Sequence, residues 1–88
     1  MRWDNLQILL AVRWEGSLTR AAQFLGLDQS TAGRRLTQLE ADLGAVLFVR
    51  SKSGFAPTQA GEAAILRAKE VEKHVIGLLD EFAQVFTP

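Results

Sequence analysis

The sequence predicts a mainly α-helical fold: three short helices, a two-stranded hairpin and one long terminal helix. Three observations carry this. Glycines 16, 26 and 44 each close an apolar-periodic run. Residues 46–57 gather β-branched and aromatic side chains around a turn. Beyond residue 58, apolar side chains recur at alternating spacings of four and three. With 88 residues, 48% of them hydrophobic, and no cysteine, the chain has room for one domain.

Asp4 is suited to cap the first helix, with Gln7 answering it as a variant capping box, and Leu6, Leu9, Leu10 and Val12 supply the apolar stripe that Gly16 ends. Ser17 caps a second helix, Leu18 to Leu25, in which Ala21, Ala22 and Leu25 face inward; Gly26 stops it. Asp28 caps a third helix running to about Leu43, with Ala32, Leu36, Leu39 and Leu43 as its core stripe and Gly44 as its stop. Val46 to Arg50 and Phe55 to Pro57 read as strands on either side of a Ser51 to Gly54 turn.

Thr58 caps the last helix, which runs to about Val85 and is ~42 Å long at 1.5 Å per residue. Ala64, Ala68, Val71, Val75, Leu78, Phe82 and Val85 form a three-heptad seam on it, widened by Ile65, Leu79 and Phe86. Nothing else in so short a chain covers such a stripe. The expectation is therefore a homodimer, which would also support a small domain that has no disulfide. A packed helix in a monomeric bundle is the alternative.

Composition excludes several classes. A charge appears within the first four residues and the longest apolar run is Ile8 to Val12, so neither a signal peptide nor a membrane span fits and a cytoplasmic location is expected. Without cysteine there is no thiolate metal site and no thiol redox chemistry. Catalysis would need a nucleophile with a base, a carboxylate pair in a cleft or a phosphate-cradling loop, and the chain has one histidine and no Gly-rich loop after a strand. No catalytic residue, metal or cofactor is expected. His74 reads as solvated surface or a dimer-edge hydrogen bond, and Trp3 and Trp14 as packing beneath a neighbouring long helix.

The net charge is zero, but it is unevenly spread. Residues 1–60 carry Arg2, Arg13, Arg20, Arg34, Arg35, Arg50 and Lys52 against five acids; residues 61–88 carry three bases against five acids. Two helices joined by a three-residue turn containing Gly26 have the layout of a helix-turn-helix. With Ala32 at the core, 100° per residue carries Ser30, Arg34 and Ala41 to the opposite face of the third helix, flanked by Thr31, Gly33, Thr37 and Gln38. That face has no acid before Glu40. A DNA major groove admits a helix and offers partners for the amide of Gln29, the hydroxyls of Ser30 and Thr31, and the guanidinium of Arg34. Gln29 and Arg34 are the expected base readers, with Arg35 on the flank. Ser17 with its open amides, Arg20, Arg50 and Lys52 are the expected phosphate contacts. A protein-docking module and a ligand-free dimerisation cap are the rival readings.

At this point the chain resembles the N-terminal domain of LysR-type transcriptional regulators. The residues carrying the likeness are Leu6, Gly16-Ser17-Leu18-Thr19-Arg20-Ala21-Ala22, Leu25, Gln29-Ser30, Leu39-Glu40, Leu43-Gly44, Leu47-Phe48, Arg50, Thr58 and Gly61, within residues 4–70. The resemblance implies a winged helix-turn-helix head over residues 1–57. A linker helix over residues 58–88 would pair antiparallel with its twin on an interrupted inverted repeat of double-stranded DNA. It also implies a following two-lobed effector-binding domain, missing from these 88 residues, and tetramers in the full-length parent. The chain departs from the family pattern at Gly33, where serine is usual, at Leu9, where an aromatic is usual, and at Pro57, where leucine is usual. Gly33 costs about 1 kcal/mol of helix propensity against alanine and removes a hydroxyl from the reading face.

Overall fold

Two short polar side chains start the second and third helices, and three left-handed glycines stop the first three. The computed structural model describes residues 1–52 and 54–85. Its elements are α1 (Trp3–Glu15), α2 (Leu18–Leu25), α3 (Gln29–Leu43), β1 (Phe48–Ser51), β2 (Gly54–Pro57) and α4 (Gln59–Val85). Ser17 Oγ accepts the Arg20 amide at 3.1 Å and Asp28 Oδ1 accepts the Thr31 amide at 2.7 Å, each meeting one of the orphan donors of a helix N-terminus. Gly16, Gly26 and Gly44 take φ of 81°, 70° and 68°, a region that penalises any Cβ.

The core lies where α1, α2 and α3 meet. Ile8, Leu9, Val12, Ala21, Ala32 and Leu39 are fully buried there, joined by Leu47 from the segment before β1. α4 closes one side of this cluster with Ile65 and Ala68, 3% and 1% exposed. The expected division after residue 57 thus falls between strand and helix, while core packing continues to Ala68.

β1 and β2 form an antiparallel pair in the register Phe48 to Pro57 and Arg50 to Phe55. So small a hairpin is marginal alone and needs tethers. The Leu47 amide donates to Glu40 Oε2 at 2.8 Å, the Thr58 hydroxyl to the Val46 carbonyl at 2.6 Å, and the Thr58 amide to the Leu47 carbonyl at 2.9 Å. On the other side the Phe55 amide reaches the Gly16 carbonyl at 3.3 Å. Thr58 Oγ1 also accepts the Gly61 amide at 2.9 Å, so the side chain that caps α4 fastens it to the wing as well. Gly61 lies so close to this junction that a Cβ there would run into the Leu47 carbonyl and come within 3.3 Å of Pro57 Cβ.

Several expectations need correction. α1 begins at Trp3 with Arg2 in the cap position and no side-chain cap, so Asp4 lies inside the first turn and bonds the Arg2 guanidinium at 2.9 Å instead of the backbone. Leu43 is 44% exposed, because α3 ends there, clear of the α1–α2 contact, on the rim of a groove shared with Leu6, Ala64 and Val71. Trp14 is 83% exposed: the last turn of α1 is not covered, and an open groove lined by Leu10, Trp14, Phe24, Lys69 and Glu72 separates it from α4. Trp3 is half-buried. Val46 precedes β1 and is exposed. Ser53 of the expected turn and Phe86 of the expected seam lie outside the described residues.

Candidate nucleic-acid interface

α3 is amphipathic in the sense its sequence requires. Ala32, Leu36 and Leu39 are buried, whereas Gln29, Ser30, Arg34, Thr37 and Gln38 are exposed. Because Asp28 and Gly26 make the turn short, α2 and α3 present their N-termini on the same side of the head, and the wing stands beside them. A shallow concavity of about 190 Å³ is lined by Ser17, Leu18, Thr19, Gln29, Arg50, Ser51, Gly54 and Phe55. It brings together three predicted residues from three elements: the α2 cap, the first residue of α3 and the wing arginine. Arg20 is exposed one turn into α2.

The other flank of α3 carries a second concavity, where Thr31, Arg34, Arg35 and Gln38 meet Arg2, Asn5 and Asp42. Arg35 is half-buried and belongs to this flank rather than to the outward face. Gln38 donates to Asp42 Oδ1 at 3.0 Å, so an acid already engages the last of the predicted contacts on the helix. Gly33 is half-buried beside α2, and a Cβ there would meet only Leu18 Cδ2 at 3.6 Å, an ordinary contact. The glycine is therefore not demanded by packing.

Arg50 projects over the Phe55 ring, 5.5 Å from its centroid, and Phe55 in turn stacks on Phe48 at 6.0 Å. This aromatic ladder holds the guanidinium on the wing without an acid partner among the described ion pairs, leaving its charge available to an anion. Lys52 is exposed in the turn. Asp28 accepts hydrogen bonds from Ser30, Thr31 and the Thr31 amide, with Arg34 adding a favourable charge, and its carboxyl pKa falls from 3.8 to about 2.

Two features were not foreseen. Glu40 ends a clean face and falls in the family pattern, yet neither reading places it at the wing, which it anchors through the Leu47 amide. Arg2 was counted among the bases but not assigned to the interface it borders. Neither carries a sequence signal, since both act across seven or more residues or between elements. Among the described residues no group of three or more His, Cys, Asp or Glu is placed to hold a metal, and no helix is long and apolar enough to cross a membrane.

The family model for bacterial regulatory helix-turn-helix proteins of the lysR family matches residues 3–62. The chain belongs to the LysR family. This is a family of regulators, not of enzymes. The LysR-type chain is 36% identical over 87 residues to the uncharacterized HTH-type transcriptional regulator YusT of Bacillus subtilis (strain 168), covering 99% of this chain and 28% of that one. It is 38% identical over 65 residues to the Mau operon transcriptional activator of Paracoccus denitrificans, covering 74% of this chain and 23% of the activator. The chain thus spans about a quarter of the length of the curated relatives it matches. Among solved structures it is similar to a CbnR_DBD-DNA complex, at 31% identity and TM-score 0.86 over 99% of this chain and 100% of that one. It is also similar to a BenM_DBD/catB site 1 DNA complex, at 25% identity and TM-score 0.92 over 100% and 98%. The mainly helical winged fold predicted for this LysR-type chain is the fold those structures share.

The predicted seam of the LysR-type chain divides in two. Ala68 is buried within its own head, so it does not face a partner; Ala64 is half-buried along the groove with Leu6 and Leu43. Val71, Leu78, Phe82 and Val85 are exposed and Val75 half-buried, along a helix that stretches the molecule to 50 Å in one direction against 25 and 22 Å in the others.

Proposed function

We propose that this chain is a sequence-specific reader of double-stranded DNA acting as a homodimer within a bacterial transcriptional regulator. In this reading α3 lies in the major groove with Gln29, Ser30, Thr31, Gly33, Arg34 and Thr37 toward base edges and Arg35 and Gln38 along its flank. Ser17, Arg20, Arg50 and Lys52 hold the backbone on either side. The observation that carries it is the convergence of the α2 cap, the start of α3 and the wing arginine on one concavity beside an outward face whose opposite side is core. Solved DNA complexes of similar domains support it.

The homodimer is supported by the apolar stripe Val71, Val75, Leu78, Phe82 and Val85, exposed except for the half-buried Val75 and continued by Ala64 along its groove. Pairing these helices antiparallel would set two heads on an interrupted inverted repeat. An effector domain, a tetramer and a cytoplasmic site of action belong to the same proposal for the longer protein, of which relatives carry about three further quarters.

The test is a fluorescence anisotropy titration of a duplex selected from a random pool, run at several salt concentrations. Log K should fall with log salt by about 0.9 per phosphate contacted, and Arg34→Ala should weaken binding by about 1–3 kcal/mol. A flat salt response, or an Arg34→Ala chain that binds as well as the wild type, overturns the reading.

A further inference from the structure

The two helix starts at the interface are capped by different chemistry. α2 is capped by the neutral Ser17 hydroxyl, with the Arg20 side chain exposed nearby. α3 is capped by a carboxylate. Asp28 Oδ1 accepts from the Thr31 amide and from Ser30 Oγ, both at 2.7 Å, and Asp28 Oδ2 accepts from Thr31 Oγ1 at 3.1 Å. Arg34 Nη2 then donates to Thr31 Oγ1 at 3.3 Å. The direction of every bond is forced, because an ionised carboxylate only accepts and a guanidinium only donates. Both hydroxyl protons therefore point at Asp28. What remains outward is lone pairs on Ser30 and Thr31 and the other N–H groups of Arg34.

We propose that Asp28 is a positioning residue for sequence readout: by taking both hydroxyl protons it makes Ser30 and Thr31 acceptors only, so that the start of α3 selects bases carrying a major-groove amino group. The inference rests on α3 being the reading helix. In the major groove cytosine N4 and adenine N6 donate, whereas guanine O6 and N7 and thymine O4 accept. A hydroxyl with a free proton would satisfy either set. With their protons committed, Ser30 and Thr31 match cytosine or adenine and mismatch guanine, thymine and phosphate oxygens. The Asp28 charge also offsets the positive end of the α3 dipole, which would otherwise attract a phosphate. The phosphate-holding role thus passes to the neutral start of α2, and the α3 start is kept for base edges. The same hydrogen bonds lower the Asp28 carboxyl pKa to about 2, so the cap is ionised at neutral pH.

The experiment selects duplexes from a randomised pool with the full 88-residue chain, with Asp28→Asn and with Thr31→Val, then measures competition binding at each selected position. Asparagine caps helices as well as aspartate does, so thermal denaturation should report an intact head. Its oxygen, in the place of Oδ1, keeps the bonds from the Thr31 amide and Ser30 Oγ, while its nitrogen, in the place of Oδ2, donates to Thr31 Oγ1 and releases that hydroxyl's proton outward. The wild type should prefer cytosine or adenine over guanine or thymine by about fivefold at one position per half-site. Asp28→Asn should compress that preference below about twofold with the rest of the motif unchanged, and Thr31→Val should erase the same preference with no further loss in the double variant. As a measurement independent of any variant, replacing the selected base by its analogue without the amino group should weaken wild-type binding by the same factor. A wild-type preference unchanged in Asp28→Asn, or an analogue bound as tightly as the natural base, overturns the proposal. A wild-type chain that selects no motif overturns it together with the reading of α3, and does so before any variant is made.

Discussion

The two halves of α4 share one apolar periodicity and opposite environments. From Gln59 to about Glu70 the helix is part of the head: Gly61, Ile65 and Ala68 are buried, and Thr58 ties its first turn to the wing. From Val71 to Val85 the same spacing leaves Val71, Ile76, Leu78, Leu79, Phe82 and Val85 exposed. The difference teaches that a heptad stripe specifies a buried face without specifying which chain buries it. The near half meets α1 of its own chain, and the far half projects past the head with most of its apolar residues exposed, the face that the proposed homodimer would bury.

The sharpest contrast is between two glycines on this one helix. Gly61→Ala drives a methyl into the Leu47 carbonyl and should destabilise the head by about 3 kcal/mol in urea titration, the upper part of the overpacking range. Gly77 has nothing within 4 Å, so Gly77→Ala should stabilise the helix by about 0.5–1 kcal/mol. Equal effects at the two sites would erase the distinction between the halves.

A second pair separates core from surface. Ile65→Ala should cost about 2–3 kcal/mol of head stability by opening a cavity. Leu78→Ala, at a 55% exposed position, should leave the head's unfolding unchanged and instead raise the concentration at which the chain associates. The tie between α3 and the wing is tested more gently by Glu40→Ala, which strands the Leu47 amide and should cost about 1–2 kcal/mol. Amide exchange of the hairpin should rise in that variant, while α2 stays protected.

The smallest expected effect is confined to the start of α3. The folded pKa of Asp28, about 2, lies below its ordinary value of 3.8. Its contribution to stability is therefore complete above about pH 4 and lost as pH falls toward 2. Thermal melts over that range should show a flatter acid limb for Asp28→Asn than for the wild type.

Local chemistry explains which parts of the molecule the sequence disclosed. Ser17, Asp28 and Thr58 cap, and Gly16, Gly26 and Gly44 stop, because each acts within a few residues of itself. The outward face of α3 was legible for the same reason, since one buried position sets all the others on a helix. Relations between elements were not. Asp4 turned to Arg2 because α1 starts earlier than the capping pattern implies, and Trp14 stayed exposed because α4 passes the far side of a groove. Ala68 fell inside the head, and Glu40 became a wing anchor, through contacts that no spacing encodes.

Sedimentation equilibrium of the 88-residue chain beside Leu78→Asp/Phe82→Asp tests the division of α4 most directly. The wild type should sediment as a dimer, and the double variant as a monomer whose head unfolds at the same temperature. A double variant that remains dimeric, or a wild type that is monomeric throughout the micromolar range, would contradict the account.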